Sequence, residues 1–216
     1  LWLDKDNSLW LGLFLKGALH YIPHLNRTVN YNLLSEEVSS GFCIIEDKND
    51  HVWYGGPSGL FLIDKKKINA RPEKVSPLRV FNLVQFNDSI LWAGTRKGSM
   101  FQINTRTLKV TSLPILPHTD LYVTYIYPDS HQRIWIGTDN NGLYVSDRNG
   151  SIIAFYSKEQ LGSNAIKGII EDEMSNIWVG TGNGLCCINP QTKNIDRYTT
   201  ADGLPINQFN YSSACK

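Results

Sequence analysis

The chain has 216 residues, 42% hydrophobic and 19% charged, and its 21 Lys+Arg against 20 Asp+Glu leave a formal net charge of +1. That balance excludes a disordered chain and a globally basic surface of the kind that draws in nucleic acid or anionic membrane. Four cysteines with no Cys-x-x-Cys spacing exclude a disulfide scaffold and a thiolate metal site, and no apolar run approaches the roughly 18 residues of a membrane span.

Leu1-Trp2-Leu3 already reads as strand, so the chain is expected to be a piece cut from something longer. From there one phrase recurs. Trp10, Trp53, Trp92, Trp135 and Trp178 stand 43, 39, 43 and 43 residues apart, in LWLG, VWYGG, LWAGT, IWIGT and IWVGT. A glycine follows each by two places (Gly12, Gly55, Gly94, Gly137, Gly180) and another by six or seven (Gly17, Gly59, Gly98, Gly142, Gly184). A fixed period of this length marks a repeat architecture.

The repeats are placed at roughly 1–40, 41–79, 80–121, 122–164 and 165–208. In the first, Leu13-Phe14-Leu15 replaces the polar or small turn residues of the others. In the second, Lys65-Lys66-Lys67 is expected to be a solvated turn, and Cys43, like Cys186 later, a small buried hydrophobe. The third is the weakest copy: it lacks the Glu-Asp pair, and its inner strand Phe81–Phe86 precedes a shortened turn, Asn87-Asp88-Ser89, to which the spacing of 39 is ascribed. The fifth is the clearest. Its segments Ile169–Asp172, Ile177–Val179, Leu185–Ile188 and Ile195–Tyr198 are strand-length and separated by Gly, Asn, Pro and Ser turns. Residues 209–216 read as the first strand of a sixth unit.

Four short antiparallel strands per unit of about 40–45 residues is the arithmetic of a β-propeller blade. The expected fold is therefore all-β: five four-stranded blades plus the first strand of a sixth, a fragment of a larger ring. Trp10, Trp53, Trp92, Trp135 and Trp178 are expected to fill the core between blades, and the glycine two places on to leave room for the neighbouring blade's backbone. Two uncovered blade faces imply association or imperfect closure.

Glu171-Asp172 with Ile-Trp-Val-Gly-Thr and Asn183-Gly184-Leu185 resemble the two-component-regulator propeller repeat. Ala201 to Tyr211, ADGLPINQFNY, resembles the segment common in the sensor regions of Bacteroides-type hybrid two-component histidine kinases. The resemblance implies a periplasmic sensor region of tandem propellers, normally seven blades each, followed by a β-sandwich, a membrane span and a cytoplasmic kinase. It also implies a glycan or oligosaccharide ligand. The expected partners are the remaining blades and downstream sensor domains, with a homodimer in the complete protein, and no nucleic acid or membrane contact by this segment.

Chemistry is sparse. His20, His24, His51, His118 and His131 are scattered, and no metal site or cofactor is expected. Asp4, Glu46-Asp47, Asp129 and Glu171-Asp172 recur once per unit, which suits a turn-stabilising carboxylate better than a catalytic one. Gly180-Thr181-Gly182-Asn183-Gly184 precedes no helix, so it is no phosphate cradle. No catalytic residue is assigned and the segment is expected not to be an enzyme.

Up-and-down strands put the second-to-third loops and the blade-to-blade loops at one end. The blade-to-blade loops are read as 35–40, 71–77, 114–121, 159–164 and 200–208. Variable loops on a rigid scaffold are where recognition lives. The ligand-binding candidates on that face are Lys16, Arg96, Lys97, His118, Asp120, Asp139, Asn140, Asn141 and Asn183, donors and acceptors suited to sugar hydroxyls or an acidic sugar group. Two other readings are a propeller serving only protein interaction or dimerisation, and a carbohydrate-active or lyase propeller.

Overall fold

The tryptophan phrases, rich in β-branched and aromatic residues and closed by glycine, form the second strand of five antiparallel meanders. The computed structural model describes residues 1–13, 16–31, 40–67, 70–95, 99–113, 121–211 and 214. The first sheet comprises β1 (Trp2–Leu3), β2 (Leu9–Leu13), β3 (Gly17–Ile22) and β4 (Arg27–Tyr31). The second has β5 (Cys43–Glu46), β6 (His51–Gly56), β7 (Gly59–Asp64) and β8 (Glu73–Ser76), and the third β9 (Val80–Asn87), β10 (Ile90–Thr95), β11 (Met100–Asn104) and β12 (Val110–Leu113). The fourth is β13 (Val123–Pro128), β14 (Ile134–Thr138), β15 (Leu143–Ser146) and β16 (Ile152–Tyr156). After a single helical turn, α1 (Lys158–Leu161), the fifth follows with β17 (Ile166–Glu171), β18 (Ile177–Thr181), β19 (Gly184–Ile188) and β20 (Ile195–Tyr198).

Two compact units result, one of residues 1–95 with 101–112 and one of 96–100 with 113–216. The first holds the first three sheets apart from Met100 and Leu113; the second holds the last two. Within the first unit β5 lies against β2, and β9 against β5 and β6; within the second, β17 lies against β13 and β14. Within each unit a following sheet thus lays its first strand on the one before it.

That stacking explains the glycine two places after each Trp. A Cβ at Gly12 would stand 2.1 Å from the Gly41 carbonyl oxygen, one at Gly55 2.7 Å from Val80, and one at Gly137 2.6 Å from Ile166. Neighbouring backbone fills the space only at Gly12; at the other two a side chain of the next first strand does. Gly41, Val80 and Ile166 share one register, twelve residues before the next tryptophan. Phe209, 43 residues after Ile166, takes the same place over Gly180, 3.3 Å from its would-be Cβ.

The tail docks in that register. Gly184 donates its amide to the Asn207 carbonyl at 2.6 Å, as Gly142 does to Asn164 at 2.9 Å one repeat earlier, and the Phe209 amide reaches the Thr181 carbonyl at 3.3 Å. The described tail residues Phe209–Tyr211 and Ala214 are nevertheless not in a strand, because no second strand pairs with them there.

Trp10, Trp53, Trp92 and Trp135 are at most 1% exposed, whereas Trp178 is half-buried. Two details differ from expectation. Residues 71–77, read as a loop, contain β8, whose Lys74 pairs with Phe61 and Ser76 with Leu60. An outer edge strand facing solvent needs no apolar alternation, so its charged sequence concealed it. The spacing of 39 also arises here and not in the turn after β9: Trp53 and Val80 are 27 residues apart where Trp135 and Ile166 are 31 apart, and only Pro77–Arg79 join β8 to β9.

The first-to-second turns of the first, second, fourth and fifth sheets share one geometry, whereas in the third Ile90 pairs with Asn87 across a two-residue loop. In the fifth sheet Ser175 donates its amide to the Asp172 carbonyl at 3.1 Å, Asp172 donates to Asn176 at 3.0 Å, and Ser175 sits at φ 63°. This is a type I turn with a left-handed third residue closing a bulge. Asn7, Asp50 and Gln132 hold the same left-handed place, and Gly150 does so in the fourth sheet's third-to-fourth turn. Ser175→Gly is therefore expected to stabilise the protein by about 0.5–1 kcal/mol, relief of left-handed strain exceeding the added chain entropy. Urea titration followed by circular dichroism checks it, and a lower midpoint would count against the turn assignment.

Candidate functional site

At the end bearing the first-to-second turns, an aspartate six residues before the tryptophan organises each site. Asp129 accepts from the amides of His131 and Arg133 through one oxygen, both at 2.9 Å, and from the Trp135 indole N–H at 2.8 Å through the other. Asp4, Asp47 and Asp172 do the same for Trp10, Trp53 and Trp178 at 2.9, 2.8 and 2.9 Å. The third sheet has Phe86 at that position, and its ring stacks on Trp92 with centroids 5.2 Å apart. The divergence of that copy is thus one of packing.

The glutamate before the aspartate serves the neighbouring sheet. Glu46 accepts from the Lys5 amide at 3.0 Å, and Glu171 from the Ser130 amide at 2.9 Å and its hydroxyl at 2.6 Å. Lys5 and Ser130 are each the residue after the preceding sheet's aspartate, so the same latch joins the first sheet to the second and the fourth to the fifth.

In the first unit this latch is reinforced by Lys65, whose ammonium lies 2.7 Å from Asp4, 2.6 Å from Asp6 and 2.9 Å from Glu46. The expectation that the whole Lys65–Lys67 run is solvated fails for Lys65, because three carboxylates from two sheets enclose it; Lys66 and Lys67 remain exposed. Asp4, Asp6 and Glu46 are spaced to hold a divalent ion, but the ammonium supplies their counter-charge. Burial pushes the Asp4 carboxyl up, yet Lys65, the Ser8 hydroxyl and amide and the Trp10 indole together hold it well below the usual range.

Ser8, His20 and Asp4 lie together without forming a hydrolytic triad. The Ser8 hydroxyl donates to Asp4 at 2.7 Å and accepts from His20 Nε2 at 2.6 Å, so serine stands between the other two, where a nucleophile would need histidine. All three are under 9% exposed, and the His20 ring stacks on Trp10 at 4.0 Å. Burial lowers the His20 pKa and pushes the Cys43 thiol up to about 12 and the Cys186 thiol to about 11, which leaves both thiols protonated at neutral pH.

The opposite end carries the candidate recognition face. Its second-to-third loops and blade-to-blade segments are tied by backbone: Asp139 donates to Tyr122 at 3.0 Å and Gly182 to Ala165 at 2.9 Å. Lys16 is exposed in the β2–β3 turn of the first unit. In the second unit Asp139 pairs with Lys167 at 3.1 Å and with the Tyr211 hydroxyl, and the Lys167 ammonium lies 3.6 Å from the Tyr211 ring centroid. Asn140 is exposed, Asn141 is used locally on Tyr144 at 2.7 Å, and Asn183 donates its backbone amide to the Thr181 hydroxyl at 3.0 Å and its side-chain amide to the Gly162 carbonyl at 3.5 Å. Arg96, Lys97, His118 and Asp120 lie outside the described residues.

Lys167 and Tyr211 were not among the sequence candidates. A lysine at the start of an inner strand gives no pattern of its own, and only its register relative to Trp178 distinguishes it: it is the bulged residue between the Ile166–Thr181 and Gly168–Gly180 pairs.

Residues 118–140 match the family model described as two component regulator propeller. That stretch carries a two-component regulator propeller repeat. The matched stretch includes Asp129, Trp135 and Gly137, the latch and packing residues described above. Over 98% of its length the chain is 26% identical to histidine kinase P4 of Formosa agariphila, of which it covers 20%. It is similar in structure to the extracellular domain of the hybrid two-component system BT3049 of B. thetaiotaomicron, with a TM-score of 0.78 and 24% identity over 97% of this chain and 30% of that one. A second likeness is to the extracellular domain of BT4673, described as a one-component system of the same organism, with a TM-score of 0.67 and 22% identity over 91% of this chain and 30% of that one. The chain therefore spans about a fifth of the curated relative and under a third of the solved chains. These likenesses show the fold, a β-propeller in five four-stranded blades.

Proposed function

We propose that this chain is an extracytoplasmic sensing segment of a two-component signalling protein, binding a glycan or oligosaccharide on its loop face and passing the change to domains outside it, with no catalysis of its own. The regulator-propeller match carries this reading, supported by the extracellular provenance of the similar B. thetaiotaomicron domains and the kinase description of the Formosa relative. The loop ends support it too, with Lys16 in the first unit and Asp139 and Asn140 in the second, while the buried Ser8, His20 and Cys186 favour packing over turnover.

Thermal shift against a panel of plant, algal and host oligosaccharides tests it. A ligand at about a hundred times its Kd is expected to add about 2.7 kcal/mol, or roughly 5–10 °C in a domain of this size, with no product formed. Product formation would move the reading to a carbohydrate-active propeller.

A second reading rests on the outer face of the fifth sheet, where Ile170, half-buried Trp178, Leu185 and Phe209 line an open apolar hollow. Association through that face would make the segment an interaction propeller. Concentration-dependent sedimentation without any ligand-induced shift is its expected signature.

A further inference from the structure

Each of the last four repeats carries one inner-strand position whose residue type varies. Eleven residues before the tryptophan, the inner strand skips a pairing: Phe81 falls between the Val80–Thr95 and Asn82–Gly94 pairs, Thr124 between Val123–Thr138 and Tyr125–Gly137, and Lys167 between Ile166–Thr181 and Gly168–Gly180. Phe42 holds the same position in the second repeat, immediately before β5, with its amide bonded to the Gly55 carbonyl at 2.8 Å. A bulge re-aims the side chain that it displaces, and such bulges gather at rims and beside sites. Where the tryptophan and the glycine after it are the same in every repeat, this position holds Phe, Phe, Thr and Lys. Thr124 donates its hydroxyl to the Ile166 carbonyl at 2.7 Å and Lys167 pairs with Asp139, whereas the two phenylalanines meet each other.

In the first unit the two bulge-position residues converge. The rings of Phe42 and Phe81 stack with centroids 5.0 Å apart and planes 21° from parallel. Phe42 is nonetheless 46% exposed, on the end of the sheet that carries the recognition loops. A large aromatic ring braced from beneath by another and left open above is costly to keep in water. It gains an explanation if something flat and partly apolar lies on it.

We propose that Phe42, supported by Phe81, is a stacking platform for the C–H face of a pyranose ring, and that these two bulge positions set the sugar specificity of the first unit. The inference rests on the glycan-sensing reading above and names a subsite for it. Sugar C–H bonds presented to an aromatic face gain dispersion contact and release water from both, while the equatorial hydroxyls stay free for polar groups around the rim.

The test uses the full chain with cello-, manno-, xylo- and galacturono-hexaose as probes, read by saturation-transfer NMR and calorimetry. For a probe that binds, Phe42→Ala is expected to weaken affinity about tenfold or more, and Phe42→Tyr to retain it within roughly threefold. Phe81→Ala should weaken it by an intermediate factor, and saturation should concentrate on the protons of one sugar face. Phe42→Ala is expected to keep the wild-type circular dichroism spectrum and a cooperative melt, which separates loss of affinity from misfolding, and Phe42→Tyr preserves the stacked ring. Binding unchanged in both alanine variants would overturn the platform and leave glycan sensing standing. No binding of any probe at about 5 mM would overturn both.

Discussion

Asp4→Ala is expected to cost about 3–5 kcal/mol, more than any other single carboxylate substitution in the first unit. The carboxylate is 4% exposed and accepts from the Asp6 and Ser8 amides at 3.0 and 2.9 Å, the Ser8 hydroxyl at 2.7 Å, the Trp10 indole at 2.9 Å and the Lys65 ammonium at 2.7 Å. Alanine strands those donors, and it leaves the enclosed ammonium with one compensating charge fewer. Asp147→Ala is the control, because Asp147 makes the same turn contacts, accepting from Asn149 at 2.8 Å and Ser151 at 2.9 Å, at an exposed site with no indole. It should cost about 1 kcal/mol or less. Equal costs in urea titrations would show that the turn alone, and not the buried network, sets the stability.

The same carboxylate gives an acid dependence with a definite sign. Its folded pKa is depressed, so its contribution is fully present above the unfolded value near 3.9 and is lost as pH falls from there toward the folded value. Between about pH 4 and pH 2 the wild type should lose stability more steeply than Asp4→Ala. Parallel curves would remove Asp4 from the acid transition.

Trp135→Ala is expected to cost about 3–5 kcal/mol, and Trp178→Ala only about 1–2 kcal/mol, although the two residues occupy the same place in adjacent repeats of one unit. Trp135 is 1% exposed, hydrogen-bonded to Asp129 at 2.8 Å, and packed in a core with Ile166, Ile169 and Val179 from the following sheet. Trp178 keeps its bond to Asp172 at 2.9 Å but is only half-buried beside Phe209. Denaturation followed by circular dichroism separates the cases without relying on the fluorophore removed. Equal losses would mean that the indole–aspartate bond, and not coverage by a neighbouring sheet, carries the energy.

Much of this fold was legible because the repeat restates it. Trp53, Trp135 and their glycines recur in phase, and β20 falls on Ile195–Tyr198 as read from the pattern. The aspartates could be recognised as turn residues, yet their bond to an indole six residues on could not, since nothing along the chain reveals that both groups point to the same end. Edge strand β8 was hidden because solvent imposes no alternation on it. Lys65 was misplaced because a run of three lysines looks the same whether or not one folds back onto acids from another sheet. The recognition face was legible only as a set of loops. Its sharpest features, Phe42 against Phe81 and Lys167 against Asp139, depend on a skipped pairing that leaves no trace in composition.

The glutamate latch grips a main-chain amide, so it does not matter that the gripped residue is Lys5 in one place and Ser130 in another. A coupling written in the backbone is indifferent to the side chain above it. A sheet whose inner strand ends in Glu-Asp can therefore hold its neighbour whatever residue follows that neighbour's aspartate, and the side chain there is left open to change.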